Sequence, residues 1–467
     1  MSENSSIKAL KSGMWYIVAN FVTKSMVFLS TPIFSRMLTH EEYGLYSNYT
    51  SWLSTFMVFM TLNIGSTFIS AKYDFKSEFD SYISSAACLS ILSCVFWTII
   101  INLFSNKVVS LTGVNIEHLN IMLMYILATA IIEMFQTRER YNYEYKKSVY
   151  LSMLISVGST LLSVTMVYLM QDKLQGRILG NSIISVIIGI ILGIYIFYKG
   201  RSINVKFWRY ALPICLPYIP HLMSLTILNS VDKIMITKIS GPDDNALYSL
   251  AYSCGAVITL LILSMNTAFS PWLGEKLETG SIDEIYKFSS IYVKIFTFLS
   301  CGMMLISPEI LYLMGGKGYS GSLFVMPPVA YGFVCQFMYT MFVNIEQFKK
   351  KTLGMAIASA SAALINYILN ALLIPKYGYV AAAYTTLVSF IWLLLVHIYL
   401  VKRIGFIKAY NIKTMFIALG VTGVFTIVVN YLYLYPIIRY LVIGLYIMIL
   451  FLIIKKNHKI IIKLLRR

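Results

Sequence analysis

The chain has 467 residues, of which 58% are hydrophobic and only 12% are charged, and its mean hydropathy is +0.73. A soluble protein carries about 25% charged residues, so this composition excludes an ordinary soluble enzyme and indicates a membrane protein. The formal charge of +18 would also suit a nucleic-acid-binding protein, and the positions of the Lys and Arg residues decide between the two classes.

Apolar runs long enough to cross a bilayer follow one another along the whole chain. A bilayer core needs about 20 apolar residues per helix. Fourteen runs meet this length, at residues 12–37, 43–71, 81–104, 117–137, 149–170, 177–198, 210–238, 246–273, 288–313, 322–345, 353–374, 379–401, 412–434 and 436–454. A β-barrel would instead show alternating segments of about ten residues. We therefore predict an all-α polytopic membrane protein with about 14 transmembrane helices.

The Lys and Arg residues between these runs predict how the chain is oriented. Of the 38 Lys and Arg residues, 27 fall in one alternating set of loops and tails and eight in the other. Because cytoplasmic loops carry the excess of positive charge, the first set and both termini are predicted to be cytoplasmic. The net charge then reflects membrane topology, and we expect no nucleic acid as a partner. The basic C-terminal tail is placed to contact anionic lipid.

An internal repeat divides the chain. The segment RMLTHEEYGLYS (Arg36 to Ser47) lines up with KISGPDDNALYS (Lys238 to Ser249) at an offset of 202 residues. Three further pairs share that offset: Gly113 with Gly315, Lys147 with Lys349, and Gly176 with Gly378. An even number of spans separates the copies, so both halves have the same orientation, as in transporters built from parallel repeats. The predicted divisions are two six-helix bundles, residues 1–202 and 203–404, followed by two extra helices and the basic tail, residues 405–467.

The charged cluster of the first copy is predicted to mark a helix start. Thr39 and Glu42 have the spacing of a capping box, T-x-x-E, at the start of the second span. Negative charge is favoured at a helix N-terminus. His40, Glu41 and Glu42 are therefore interpreted as structural rather than catalytic residues.

Several segments, taken in order, resemble one transporter family over essentially the whole chain. They are SRMLTHEEYGLYS, NSVDKIMITKIS, SMNTAFSPWL, LMGGKGYSG and IPKYGYVAAAYTTLVS. These segments resemble the polysaccharide flippase branch of the multidrug/oligosaccharidyl-lipid/polysaccharide (MOP) exporter superfamily, the O-antigen and capsule repeat-unit translocases. The resemblance implies a MATE-like, V-shaped transporter of two bundles around a central cavity.

The same resemblance implies a cargo and a location. The cargo would be a polyprenyl-pyrophosphate-linked oligosaccharide, moved from the cytoplasmic to the outer leaflet of a bacterial inner membrane. The expected partners are this lipid-linked oligosaccharide and membrane lipids, with a polysaccharide polymerase and chain-length machinery as further candidates.

Cations at membrane depth are candidates for binding an anionic cargo, because burying a charge in lipid is costly. Lys24 lies near the middle of the first span, and lysine suits phosphate as a point charge. Lys233 lies near the outer end of the seventh span and Lys294 nearer the cytoplasmic end of the ninth. Each of these could instead reach the membrane surface along its aliphatic stem. Arg36, at the predicted outer mouth, is a fourth candidate.

Three other residues are candidates for coupling transport to an ion. Asp232 could bind a cation or proton, or form a salt bridge between helices. Glu133, one turn from the cytoplasmic end of the fourth span, could take up a proton or pair with a nearby cation. His221 follows a cluster of three prolines, ALPICLPYIPHLM, that must break the seventh span and free backbone carbonyls.

Two other transporter functions are compatible with the resemblance, and the charge of the cargo argues against one of them. A multidrug/cation antiporter of the same superfamily would need acidic groups in its cavity, whereas the mid-membrane charge here is net basic. A peptidoglycan-precursor flippase, also built from fourteen spans, is the other alternative. We predict no enzyme, because the sequence has no H-E-x-x-H, G-x-S-x-G or D-x-D motif and no long loop for a catalytic domain; a membrane glycan polymerase is the least favoured reading. No cofactor or metal is expected beyond a coupling H⁺ or Na⁺.

Overall fold

The structure, a computed structural model, describes residues 23–465 apart from Lys24, Val27, Tyr143 and Lys350. The described residues are almost entirely helical, and none of them lies in a strand. The described part of the first helix, α1, covers residues 23, 25, 26 and 28–37. The candidate residue Lys24 lies outside the described residues.

The helices that follow α1 occupy most of the chain. They are α2 (His40–Met60), α3 (Phe68–Asp74), α4 (Phe79–Leu103), α5 (Ser105–Thr112), α6 (Ile116–Tyr141), α7 (Tyr145–Leu169), α8 (Lys173–Gly200), α9 (Val205–Cys215), α10 (Tyr218–Ile239), α11 (Pro242–Glu278), α12 (Ile282–Leu305), α13 (Ser307–Gly315), α14 (Met326–Phe348), α15 (Thr352–Tyr377), α16 (Tyr379–Arg403), α17 (Ile412–Leu432) and α18 (Pro436–Leu465). Three short 3₁₀ helices, Ile64–Thr67, Lys317–Val325 and Ile407–Ala409, join some of them.

The predicted fold class is confirmed, since the described residues form an all-α, multi-pass membrane protein. Ten helices in the described part are long and apolar enough to span a bilayer, or eleven if α9 and α10 count as one bent span. The bend between α9 and α10 is 44°, at the predicted proline cluster. Of the remaining predicted spans, 12–37 lies largely outside the described residues, and 436–454 corresponds to the start of α18, where the apolar helix Pro436–Leu452 is shorter.

Two predicted spans are interrupted. The span 288–313 divides into α12, which ends at Leu305, and the separate short helix α13. The span 43–71 is also broken. Instead of a continuous helix over residues 43–71, α2 ends at Met60, and Leu62 and Asn63 adopt left-handed backbone angles, with φ of 56° and 45°. Asn tolerates this conformation better than most residues. Thr61 stabilises the break, because its hydroxyl donates to the carbonyl of Met57 (2.9 Å) and accepts from the amide of Asn63 (3.3 Å). The apolar run alone did not reveal this break.

The capping box is confirmed. The Thr39 hydroxyl accepts from the Glu42 amide at 3.1 Å, and the Glu42 carboxylate accepts from the Thr39 amide at 2.7 Å. Two backbone donors at the start of α2 are thereby satisfied. The acidic pair of this segment lies in the first turn of the helix, where its charge is favourable.

The chain packs as two compact units. Unit 1 contains the described residues up to Ser253 together with 356–385, and unit 2 contains 254–355 and 386–465. Unit 1 is built around α2, α4, α6 and α8. In it, α8 approaches α7 so closely that a Cβ on Gly180 would lie 2.3 Å from the Cα of Ser163. Close approach through small residues is typical of helix packing in membranes.

Unit 2 is built around α12, α14 and α17. The rings of Phe296 and Phe337 stack with centroids 4.2 Å apart, joining α12 to α14. The buried Tyr410 hydroxyl donates to the carbonyl of Met341 at 2.7 Å. These contacts give unit 2 a core of its own. The domain boundaries expected from the repeat remain a prediction.

The two copies of the repeated segment meet within unit 1. The hydroxyls of Ser47 on α2 and Ser249 on α11, which are equivalent in the repeat, lie 2.6 Å apart. Nearby, the Asn245 amide donates to the carbonyl of Gly44 at 2.9 Å. A residue that contacts its own equivalent marks the position of a local two-fold axis. The contact therefore gives the repeated Leu-Tyr-Ser segment a structural role.

Two of the later residue pairs at the offset of 202 differ in their positions relative to helix ends. Gly113, with a φ of 66°, ends α5, and the glycine in the same position after α13 is Gly316, with a φ of 74°, rather than Gly315. Lys147 lies inside α7, whereas Lys349 ends α14 before the next helix begins. The residues of each of these two pairs therefore lie at different positions relative to the ends of their helices, and the repeat itself remains a prediction.

Candidate functional site

A cavity of about 270 Å³ lies in unit 1, beside the contact between Ser47 and Ser249. It is formed where α1, α2, α8, α10 and α11 come together. Its polar lining consists of Ser30, Thr31, Tyr43, Tyr46, Ser47, Thr50, Arg177, Asn181, Lys233, Ser249 and Ser253. By the predicted orientation, the cavity lies toward the outer ends of these helices. Its volume suits a phosphate, a pyrophosphate or one sugar rather than a whole glycan.

Arg177 is held in the cavity by aromatic rings. Its guanidinium carbon lies 3.4 Å from the ring centroid of Phe34 and 4.8 Å from that of Tyr46. Stacking on rings fixes the plane of a guanidinium while leaving its edge available for a bidentate contact. Its Nε is buried and finds no hydrogen-bond acceptor in the described part of the chain. A buried donor without an acceptor costs free energy, which an anionic ligand would recover.

Lys233 is the second cation of the cavity. Its ammonium lies 5.3 Å from the ring centroid of Tyr252, and its side chain is half-buried. Among the described residues, neither Lys233 nor Arg177 forms an ion pair. The two cations are therefore available to a ligand.

The cavity is basic. None of the described residues that line it is Asp or Glu, and hydroxyl and amide groups make up most of the rest of its polar lining. Such a lining can neutralise a phosphate or pyrophosphate with its cations and hydrogen-bond the remaining oxygens, or a sugar, with its hydroxyls. The arrangement is unsuited to a cationic ligand.

Among the predicted cations that the structure describes, one lines the cavity and two do not. Lys233 lies in the cavity, as the hypothesis requires. Arg36 is exposed, donates to the carbonyl of Pro32 at 2.8 Å and does not line the cavity, while Lys294 is exposed on α12. Arg177 also lines the cavity, but the sequence pattern does not single it out. It lies four residues into α8, where a positive charge is ordinary for a loop.

A second polar cluster surrounds Asp232, on α10. This side chain is buried, and its carboxylate accepts from the hydroxyl of Tyr248 and the amide of Asn370, each at 2.6 Å. The Asn370 amide also donates to Asn366 Oδ1 at 3.2 Å, and its carbonyl oxygen accepts from the Thr385 hydroxyl. All of these residues are buried within unit 1. The contacts with Tyr248 and Asn370 supply the carboxylate with two neutral hydrogen-bond donors.

The remaining coupling candidates, Glu133 and His221, lie on α6 and at the start of α10. Glu133 is exposed on the surface of α6. His221 lies in the first turn of α10, just after the bend, and its side chain is not described.

Comparison with known proteins places this architecture in a family. The sequence matches the family described as "Polysaccharide biosynthesis protein" over residues 9–277, which is more than half of the chain. The chain belongs to the polysaccharide biosynthesis protein family. A second match, to the MatE family, covers residues 217–372. The resemblance to the MOP superfamily is thereby confirmed.

A curated relative of this family member comes from Haemophilus influenzae. It is described as an "Uncharacterized membrane protein" and is 22% identical over 377 residues, which are 76% of this chain and 88% of the relative. The relative supports the membrane class of the chain. Its description carries no information about cargo.

Two solved structures share the fold of this family member. A lipid II flippase MurJ in an inward closed conformation matches with a TM-score of 0.72 and 17% identity, over 95% of this chain and 99% of MurJ. An inward-facing multidrug resistance MATE family transporter of the MOP superfamily matches with a TM-score of 0.62 and 15% identity, over 82% of this chain and 94% of the transporter. At these identities the likeness establishes the fold, and it fits a flippase and a drug transporter equally.

Proposed function

We propose that this protein is a flippase that moves a polyprenyl-pyrophosphate-linked oligosaccharide from the cytoplasmic to the outer leaflet of a bacterial inner membrane, with both termini cytoplasmic. The observation that carries the proposal is the basic cavity, with Arg177 and Lys233 and no carboxylate among its described lining residues. A pyrophosphate is anionic, so these cations favour it and disfavour the cationic cargo of a multidrug antiporter. Membership of a polysaccharide biosynthesis family supports the glycan part of the cargo.

The proposed mechanism is alternating access of the two predicted halves. The pyrophosphate-sugar head enters from the cytoplasm while the lipid tail stays in the bilayer. Lys24, which precedes the cavity residue Ser30 by six positions in the first predicted span, receives the head, and Arg177 and Lys233 hold it on the outer side. Once outside, the glycan is passed to a polymerase and chain-length machinery.

The Asp232 cluster is the proposed site of the coupling ion. It brings oxygen atoms of Asp232, Asn366, Asn370 and Thr385 into one buried, hydrogen-bonded group. Oxygen donors suit hard cations such as Na⁺, and a buried carboxylate can alternatively hold a proton. Binding of either ion would change the charge of this buried cluster, and an ion that binds one conformation more tightly would favour that conformation.

A reconstituted transport assay tests the function. The full chain in liposomes is given polyprenyl-pyrophosphate-linked oligosaccharide, peptidoglycan-precursor lipid or a cationic dye in parallel. The proposal predicts translocation of the first and no dye efflux. Dye efflux without glycolipid movement would contradict it. Exclusive movement of the peptidoglycan precursor would assign the second candidate, whose pyrophosphate the basic cavity also fits.

A further inference from the structure

A second cavity, of about 340 Å³, lies in unit 2, where α13 meets the 3₁₀ helix Lys317–Val325. It shares no described lining residue with the basic cavity of unit 1. Its lining is largely apolar and includes Pro308, Leu311 and Leu323, with Lys317 and Ser320 among the polar members. None of the described lining residues is Asp or Glu. This cavity is therefore mainly apolar and has one cation.

The connection that forms this cavity is longer than the corresponding connection in the first half of the chain. Three residues, 113–115, separate α5 from α6, whereas ten residues, 316–325, separate α13 from α14. The longer connection supplies Lys317, Ser320 and Leu323 to the lining. The cavity of unit 2 therefore depends on residues that the shorter connection does not have.

Exposed tyrosines lie around this end of unit 2. Tyr312 lines the cavity and is exposed, as are Tyr435 and Tyr440 beside the start of α18. The Tyr440 hydroxyl donates at 2.8 Å to Glu309, which follows the cavity residue Pro308 in the chain. Tyrosine is enriched where a bilayer meets water, and the predicted orientation makes this the outer surface. The cavity therefore lies at the level of the lipid phosphates of the outer leaflet.

Lys317 gives this cavity a positive charge that forms no ion pair within the described part of the chain. The acid beside the cavity in sequence, Glu309, is engaged by Arg439, whose guanidinium donates to both carboxylate oxygens at 2.7 and 2.5 Å. The stem of a lysine can lie along an apolar surface while its ammonium stays among polar groups. The cavity thus suits a ligand that has one anionic group attached to an apolar chain.

We propose that this cavity binds an anionic phospholipid of the outer leaflet. The lipid phosphate contacts Lys317 and Ser320, and the first part of an acyl chain lies against Leu311 and Leu323. The phosphate gains a charge-assisted contact, and the chain buries apolar surface. A zwitterionic headgroup is less suited, because the described lining offers no carboxylate for its ammonium. The volume is that of a small-molecule site, which accommodates a headgroup with part of a chain rather than a whole lipid.

Hydrogen exchange of the full-length protein in nanodiscs tests the site where it lies. The nanodiscs contain dioleoylphosphatidylcholine, with or without dioleoylphosphatidylglycerol as the anionic probe. Bound lipid has to leave before the amides of residues 316–325 can open, so phosphatidylglycerol should slow their exchange by about threefold or more. K317Q should lose this effect and K317R should keep it. Because Lys317 is exposed, both variants are expected to fold.

K107Q is the matched control, because Lys107 is exposed on α5 and does not line the cavity. K107Q should respond to phosphatidylglycerol like the wild type. Inorganic phosphate, added in place of the lipid, should not slow exchange at residues 316–325. Slowing by inorganic phosphate to the same extent would show an anion site without a lipid and overturn the proposal. So would equal slowing in K317Q and the wild type, or none in the wild type. No cargo is present, so the result is independent of the proposed transport function.

Discussion

Arg177 and Lys233 line the same small cavity, so the proposed binding site has two cations. Replacing either by Ala removes a charge-assisted contact, which is worth about 1.5 to 3 kcal/mol. We expect R177A and K233A each to raise the concentration of pyrophosphate-linked lipid needed for half-maximal transport by about tenfold or more. The measurement is the initial rate of translocation in liposomes against lipid concentration.

Arg36 provides the matched control for these variants. It is an exposed arginine near the same end of α1, hydrogen-bonded to Pro32, and it does not line the cavity. R36A should therefore transport like the wild type. An equal defect in R36A and R177A would indicate a general effect of surface charge rather than a binding site.

Lys233 and Arg177 differ in how far the sequence alone predicts them as cavity residues. Lys233 was identified because a lysine inside an apolar run is unusual in any arrangement of helices. Arg177 could not be identified in this way, because a positive charge near the start of α8 is ordinary for a residue at the end of a loop. Its placement depends on packing against Phe34 and Tyr46, which lie far away in sequence.

The close approach of α2 to the start of α11 leaves no room for a side chain at Gly44, so we expect the stability of the fold to depend on it. A Cβ on Gly44 would lie 1.8 Å from the carbonyl oxygen of Pro242, so G44A forces the backbones apart. Overpacking costs typically 1 to 3 kcal/mol, and we expect about 3 here because the obstacle is backbone. The unfolding temperature of the purified protein should fall clearly.

Gly420, on α17, is the control for that variant. A Cβ there would meet nothing within 4 Å, and alanine is favoured over glycine in a helix by about 1 kcal/mol. G420A should leave the unfolding temperature unchanged or raise it slightly. A similar loss in both variants would contradict a specific contact between α2 and α11.

An ion pair joins α18 to α13 in unit 2. The Arg439 guanidinium donates to both carboxylate oxygens of Glu309, at 2.7 and 2.5 Å. Burial alone would raise the pKa of Glu309, but the hydrogen bonds from Arg439 and Tyr440 outweigh it and lower the pKa below its ordinary value of 4.5. The pair therefore stabilises the fold fully above pH 4.5, and its contribution is lost as the pH falls through the folded-state pKa.

E309Q tests this pH dependence. Because the Glu309 side chain is 43% exposed, solvent screens the pair, and we expect a loss of about 1 kcal/mol near pH 7. The difference in unfolding temperature between wild type and E309Q should narrow as the pH is lowered below 4.5. A difference that grew toward low pH would contradict the assignment.

The sequence predicts the long apolar helices and the capping box, but it predicts only some of the breaks between helices. The proline cluster forced the bend between α9 and α10, and T-x-x-E located the start of α2. The break at Leu62 and Asn63 has no proline, and it depends on side-chain hydrogen bonds from Thr61 that the apolar pattern does not contain.

At the scale of the whole molecule, the fold is shared by proteins whose solved examples carry different cargoes, so the fold does not choose between them. The positive charge of this chain's cavity, together with its membership of a polysaccharide biosynthesis family, is what favours an anionic, glycan-bearing cargo. The central claim is therefore that the anionic linkage of the lipid is recognised during transport.

Transport of three versions of one polyprenyl-linked oligosaccharide, with a pyrophosphate, a monophosphate or an uncharged linkage, tests that claim most directly. The full chain is reconstituted in liposomes, and the translocation rate of each lipid is measured at low concentration. The account predicts that the rate falls in that order, and that the preference for pyrophosphate disappears when Arg177 and Lys233 are both replaced by Ala. Equal rates for the three lipids in the wild type would contradict it.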